Sequence, residues 1–147
     1  MSLIFTINQE SELKGLIDNI SRLLQHQQIL FFEGEVGSGK TTFIRHLLKS
    51  LALKANKDFH FLGSPTYQRE HHYNFKKLNL IHFDFYQVDE KTHVDLEDYF
   101  MNNCLLIEWP LEKKKKRYLP DAMFIKINAK EQSRIIEISS SNPKWLP

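Results

Sequence analysis

The sequence predicts an α/β fold, and three observations in its first third carry that prediction. Ile29-Leu30-Phe31-Phe32 is a continuous apolar run between polar neighbours, as in a strand buried on both faces of a sheet. Three of the five glycines follow at once, at Gly34, Gly37 and Gly39. From Thr41 the residues Phe43, Ile44, Leu47, Leu48 and Leu51 then keep helical spacing to about Leu53. The order is strand, glycine loop, helix.

The remaining elements follow along the chain. Leu3 to Ile7 is a short β-rich run, and Leu13, Leu16, Ile17, Ile20, Leu23 and Leu24 give an amphipathic helix within Glu10 to Leu24. Asn56 to Lys77 is polar with scattered aromatics and reads as an exposed loop region with room for a short strand. Leu80 to Tyr86 is a second strand, Val94 to Met101 a short helix, and Leu105-Leu106-Ile107 a third strand that must stop at Pro110, which has no amide hydrogen to donate. Met123 to Ile127 and Arg134 to Ile138, separated by polar residues, form a closing antiparallel hairpin. With no internal repeat or linker, residues 1–147 read as one domain.

Composition limits the function. A chain of 147 residues buries enough surface to need no disulfide or metal staple, and the single Cys104 could not form an internal bridge. No apolar stretch reaches the roughly 18 to 20 residues of a membrane span. With no secretory pattern at the start, the expected location is the cytoplasm. The net charge of +2 gives no ground for direct nucleic-acid binding. The basic run Lys113 to Arg117 reads first as a solvated helix face, with contact to RNA or a protein partner as the alternative.

Gly34-Glu35-Val36-Gly37-Ser38-Gly39-Lys40-Thr41 matches the phosphate-binding pattern G-x-x-x-x-G-K-[ST] at every specified position. Glycines let successive backbone N–H groups curl around an anion, and the following helix presents its positive end to it. Gly37, Ser38 and Gly39 would supply those amides, Lys40 would reach the β- and γ-phosphates, and Thr41 would offer its hydroxyl to Mg2+. Thr42 would add an N–H or hydroxyl. The ligand this implies is a nucleoside triphosphate.

Such a loop needs an acid at the end of a neighbouring strand. Asp84 and Glu108 compete for that place. Glu108 follows the cleaner apolar run, at the strand edge where parallel sheets bind ligands, so it is assigned to magnesium. Asp84 is assigned to the attacking water or to a place behind the metal's direct ligands, and stays the alternative metal ligand. His82, Asp84 and Tyr86 alternate and should share one face. Trp109, beside Glu108, would either shield the site or pack against Pro110.

Together these residues resemble the TsaE family, bacterial ATPases required for threonylcarbamoyladenosine modification of tRNA. The resemblance spans nearly the whole chain through Gly34 to Thr42 (GEVGSGKTT), Ser64-Pro65-Thr66-Tyr67 (SPTY), His82 to Tyr86 (HFDFY) and Ile107 to Pro110 (IEWP). It implies a P-loop NTPase-like three-layer fold, with a mixed, mainly parallel sheet between helices, and slow ATP hydrolysis in the absence of partners. It also implies Thr41 and Glu108 as magnesium ligands, Asp84 as the catalytic or water-orienting acid, and Ser64 to Tyr67 as a nucleotide-responsive switch. Glu10-Ser11 and Gly15 are similar to a family segment that would place Ser11 near the adenine, although Lys14 replaces the usual apolar residue. Arg134 looks like the family's late basic residue reaching the nucleotide. Two departures stand out: Gln87 occupies the position of a family arginine, and Leu111 intervenes between Pro110 and Glu112, where the family often has glutamate directly.

The resemblance implies TsaB and TsaD as partners, with tRNA contacted indirectly and no membrane. It points to an accessory subunit acting on the adenosine next to the anticodon of tRNAs reading codons that begin with adenine. The competing reading is a P-loop kinase for a small molecule or nucleoside. Such an enzyme would need an acceptor pocket and an arginine-bearing lid, and Lys113 to Arg117 lacks the glycine hinges of one.

Overall fold

In the computed structural model, which describes residues 1–65, 70–91 and 94–147, seven strands form one mixed sheet. The strands are β1 (Ser2–Ile7), β2 (Gln28–Glu33), β3 (Glu70–Phe75), β4 (Leu78–Asp84), β5 (Cys104–Glu108), β6 (Ala122–Ala129) and β7 (Arg134–Ser139). Their spatial order is β1-β7-β6-β2-β5-β4-β3. The central four, β6, β2, β5 and β4, run parallel, while the outer pairings β1–β7, β7–β6 and β4–β3 are antiparallel. The closing hairpin therefore forms as expected, and it continues the parallel centre outward.

Alternation along the buried strands builds the two outer layers. Leu30, Phe32, Leu80, Leu106, Met123 and Ile125 pack on one face with α1 (Leu13–Leu23) and α2 (Lys40–Lys54). Ile29, Phe31, Ile81, Phe83, Leu105 and Ile107 pack on the other face with Leu96, Leu111 and Tyr118, from around α3 (Glu97–Phe100) and α4 (Glu112–Arg117). This is the three-layer P-loop NTPase-like arrangement. Phe31 and Phe32 are both fully buried, one on each face, and each contributes about 1.5–3 kcal/mol through its burial.

Two elements differ from the sequence reading. The region between α2 and β4 holds a full strand, β3, rather than a mere possibility of one. The helix expected over Val94 to Met101 shortens to four residues. The basic run lies on α4, where Lys115 bonds Glu33 at 3.0 Å and Glu112 at 2.8 Å and Arg117 pairs with Glu97. Leu111 is buried in the second layer, so a charged residue at its position would have no water.

Candidate active site

The register of the parallel strands sets the site. Glu108 lies beside Phe32 of β2 and beside Asp84 of β4, so the two acids are lateral neighbours at the C-terminal edge. On β4, His82 and Asp84 share the face of Leu80, and on β5, Glu108 shares the face of Leu106. That face is covered by α1 and α2. The first turn of α2 brings Lys40 and Thr41 there.

The loop from β2 to α2 turns on glycine. Gly37 and Gly39 have φ of 79° and 112°, in the left-handed region that side chains disfavour. Gly34 has a different constraint: a Cβ there would lie 2.4 Å from the Ile127 carbonyl oxygen and 2.6 Å from Ser38 Oγ. The loop is thus pressed against β6. Arg134, at the start of β7, fixes it from the other side through Nε–H donation to the Ser38 carbonyl at 3.0 Å.

Lys40 is buried and turned onto its own loop. Its Nζ donates to the carbonyls of Gly34 at 2.6 Å and Glu35 at 3.0 Å, and sits 4.3 Å from the centre of the Trp109 ring. Burial lowers its pKa from the ordinary lysine value, against the opposing pull of the Glu108, Asp84 and Glu35 carboxylates. Trp109 reaches over the loop because its backbone is left-handed, with φ of 54°, one residue after the strand ends. Its ring also meets that of Tyr86, with centroids 4.9 Å apart. The aromatic therefore covers the lysine rather than packing against Pro110 alone.

Thr41 Oγ1 donates to the Glu108 carboxylate, at 2.8 Å from Oε1 and 3.1 Å from Oε2. His82 Nε2 lies 2.6 Å from Glu108 Oε2. Asp84 is engaged differently: its Oδ2 accepts from Ser64 Oγ at 2.7 Å and its Oδ1 from the Tyr86 amide at 2.9 Å. Of the expected switch, Ser64 and the buried Pro65 are described, while Thr66 and Tyr67 lie outside the described residues. The approach to Ser64 is held by the Tyr73 hydroxyl, which accepts from the Leu62 amide at 3.0 Å, and by His71 Nδ1, 3.1 Å from the Gly63 carbonyl.

The residues fit magnesium in kind. Among the described residues no group of three or more His, Cys, Asp or Glu could hold a metal by itself. What converges is one hydroxyl and one carboxylate beside a phosphate loop. Magnesium suits such a set, because it takes few protein oxygens and completes its shell with water and phosphate.

Of the clefts around the loop, two bear on the site. One, of about 420 Å³, is lined by Lys40, Thr41, Ser64, Asp84, Glu108 and Trp109, among others. The other, of about 320 Å³, lies between the turn after β1 (Asn8, Gln9, Glu10) and the turn before β7 (Gln132, Ser133, Arg134), with Gly37, Ser38, Gly39 and Thr42 between them. The two clefts lie on opposite sides of one loop. Ser11 does not line this second cleft. It stands in the exposed 3-10 turn Glu10–Glu12 and faces a groove between α1 and α2 with Lys14 and His46. Sequence reasoning missed Asn8, Gln9, Gln132 and Ser133; the only signal was their place in turns beside strand ends. Gln87, at the family's arginine position, is exposed and lines a groove on the far side of Trp109, not the phosphate cleft.

Comparison with known proteins gives the family and the fold. The family described as threonylcarbamoyl adenosine biosynthesis protein TsaE matches residues 7–136. The chain is 30% identical over 103 residues to the tRNA threonylcarbamoyladenosine biosynthesis protein TsaE of Aquifex aeolicus, covering 70% of this chain and 73% of that one. Its likeness to the TsaE protein of Bacillus subtilis is 31% over 106 residues, covering 71% and 63%. The crystal structure of Bacillus subtilis YdiB shares the fold, with a TM-score of 0.74 at 22% identity over 99% of this chain and 89% of that one. No helix among the described residues is long and apolar enough to cross a membrane. The chain belongs to the TsaE family, and with it to the biosynthesis of threonylcarbamoyladenosine in tRNA.

Proposed function

We propose that the protein is a magnesium-dependent ATPase, an accessory subunit whose nucleotide cycle regulates or resets a TsaB–TsaD complex. That complex would form the threonylcarbamoyl group on the adenosine next to the anticodon of tRNAs reading codons that begin with adenine. One observation carries the reading: Thr41 of the glycine loop and Glu108 of the neighbouring strand meet at 2.8 Å, beside a loop shaped by left-handed glycines. A hydroxyl and an acid joined there are what nucleotide-bound magnesium requires.

ATP enters with its base and ribose between the turns at Asn8–Glu10 and Gln132–Arg134 and its phosphates along the loop. Lys40 exchanges the Gly34 and Glu35 carbonyls for phosphate oxygens, a stronger pairing of opposite charges. Thr41 and Glu108 would hold magnesium, which would supply positive charge to the phosphates. The loop amides and the positive end of α2 stabilise charge on the phosphoryl group, and Asp84 orients the attacking water. Because Asp84 also holds Ser64, the nucleotide state reaches the switch segment through the same carboxylate. A change in that segment is what the partners read.

Phosphate release from ATP, measured with and without magnesium and with and without TsaB and TsaD, tests the reading. Magnesium-dependent turnover that rises with the partners is expected. Turnover that needs a phosphate-accepting small molecule and ignores the partners would refute it in favour of a kinase.

A further inference from the structure

We infer that His82 is a positioning residue for the magnesium carboxylate, holding Glu108 in the orientation in which one of its edges faces Thr41. This deepens the magnesium reading above and rests on it. His82 lies two residues before Asp84 in β4, on the same face, and is 0% exposed. Its Nε2 is 2.6 Å from Glu108 Oε2, while Thr41 approaches nearer to Oε1. Oε2 is thus held most closely by His82 and Oε1 by Thr41, whose hydroxyl also reaches Oε2 at 3.1 Å.

The other ring nitrogen explains why this is more than packing. His82 Nδ1 is buried and has no hydrogen-bond partner among the described residues. The imidazole is therefore anchored at one nitrogen only, and that nitrogen is on Glu108. A histidine kept for structure would be expected to satisfy both nitrogens or be replaced by an apolar side chain, since a buried unpaired polar atom costs stability. On the sheet His82 lies in register between Leu106 of β5 and His71 of β3, whose Nδ1 is 3.1 Å from the Gly63 carbonyl, and Leu80 precedes it on the same face. Glu108 in turn is 2% exposed, so no water layer orients it. Without His82, the carboxylate could rotate about its last bond and follow the Thr41 hydroxyl with either oxygen. An ion placed between Thr41 and Glu108 would then meet a mobile ligand. Groups that orient a metal ligand from behind commonly change metal affinity or activity by about 10- to 100-fold when lost.

The test uses the full chain and a fluorescent ATP analogue, whose Kd is measured in Mg2+ and in EDTA. The ratio of the two values is the magnesium response. His82→Phe keeps ring volume and removes the donor; it is expected to cut the response by about 10- to 100-fold while the EDTA value changes little. His82→Gln, whose amide can still donate to Glu108, should recover most of the response. In a Glu108→Gln background, adding His82→Phe should bring no further fall. In the metal-free protein, the NMR signal of the His82 Nε2 proton should shift in Glu108→Gln.

A wild-type response in His82→Phe overturns the inference, as does an equal loss of both Kd values in a protein that is folded by circular dichroism. If His82→Phe does not fold, the comparison moves to His82→Gln and the shorter His82→Asn. Retention in the first with loss in the second supports positioning, and the same response in both overturns it. A wild-type protein that binds the analogue equally well in Mg2+ and EDTA overturns the magnesium reading itself, which separates that failure from a failure of His82.

Discussion

Replacing Gly34 with alanine separates two reasons for a glycine in the same loop. The added Cβ would stand 2.4 Å from the Ile127 carbonyl oxygen, about 1 Å short of ordinary contact. That oxygen is backbone in a strand, so it cannot swing aside as a side chain would. β6 pairs with β2 on one side and β7 on the other, and moving it would break hydrogen bonds in both ladders. Gly34 also has φ of 151°, a region almost reserved for glycine, which adds about 1–3 kcal/mol of strain. Overpacking of this kind adds about 1–3 kcal/mol more. The sum, about 2–6 kcal/mol, is a large part of the 5–15 kcal/mol that a domain typically has. At about 2–4 °C per kcal/mol for a chain of this size, Gly34→Ala should melt on the order of 10 °C lower. Gly37→Ala is the control within the loop. Its φ is 79°, but a Cβ would meet nothing within 4 Å, so the cost is backbone strain alone, about 1–2 kcal/mol. Thermal unfolding followed by circular dichroism ranks the two. A Gly34→Ala protein melting at or above Gly37→Ala would refute the argument that close approach to β6 fixes this glycine.

Lys40→Ala should abolish nucleotide-dependent function, with binding weakened by at least about tenfold in isothermal titration, because a charge-assisted bond to phosphate is worth about 1.5–3 kcal/mol. Glu108→Ala should reduce magnesium-dependent turnover far more than metal-free nucleotide binding; unchanged hydrolysis would transfer the metal role to Asp84. Arg134→Leu removes both the bond to the Ser38 carbonyl and a cation at the nucleoside cleft, so ATP affinity should fall while the melting temperature moves little. The lowered pKa of Lys40 gives a pH signature. Phosphate favours the charged amine, so binding should take up protons and weaken as pH rises through the lowered value, which calorimetry in buffers of different ionisation enthalpy measures. For the free protein the sign is opposite: the unfolded chain holds more protons on this lysine in that window, so stability gains from this group as pH rises.

The sheet centre was legible because strands buried on both faces write themselves as unbroken apolar runs, and Ile29 to Phe32 and Leu105 to Ile107 do so. β3 was not, because Glu70–Phe75 is an edge strand whose inward face is carried by His71, Tyr73 and Phe75 among polar residues. The glycine loop, Lys40 and Thr41 could be read from local spacing alone. The standing of Asp84 and Glu108 could not, since it depends on which strands lie side by side. Only the register shows that Glu108 faces Thr41 while Asp84 faces Ser64. Ser11 shows the same limit at short range. A single turn decides whether its neighbour Glu10 or Ser11 itself reaches the cleft, and periodicity does not resolve a turn.

The order of the strands also governs how the protein can be made. β2 carries the glycine loop, yet both strands that pair with it come from far downstream, at Cys104–Glu108 and Ala122–Ala129. During synthesis the loop therefore leaves the ribosome with no sheet beneath it. At 5–20 residues per second it waits on the order of ten seconds for its supports, with the apolar run Ile29 to Phe32 unpaired. The loop takes its final shape only once those late strands are in place, so nothing that recognises that shape can guide the first steps of folding.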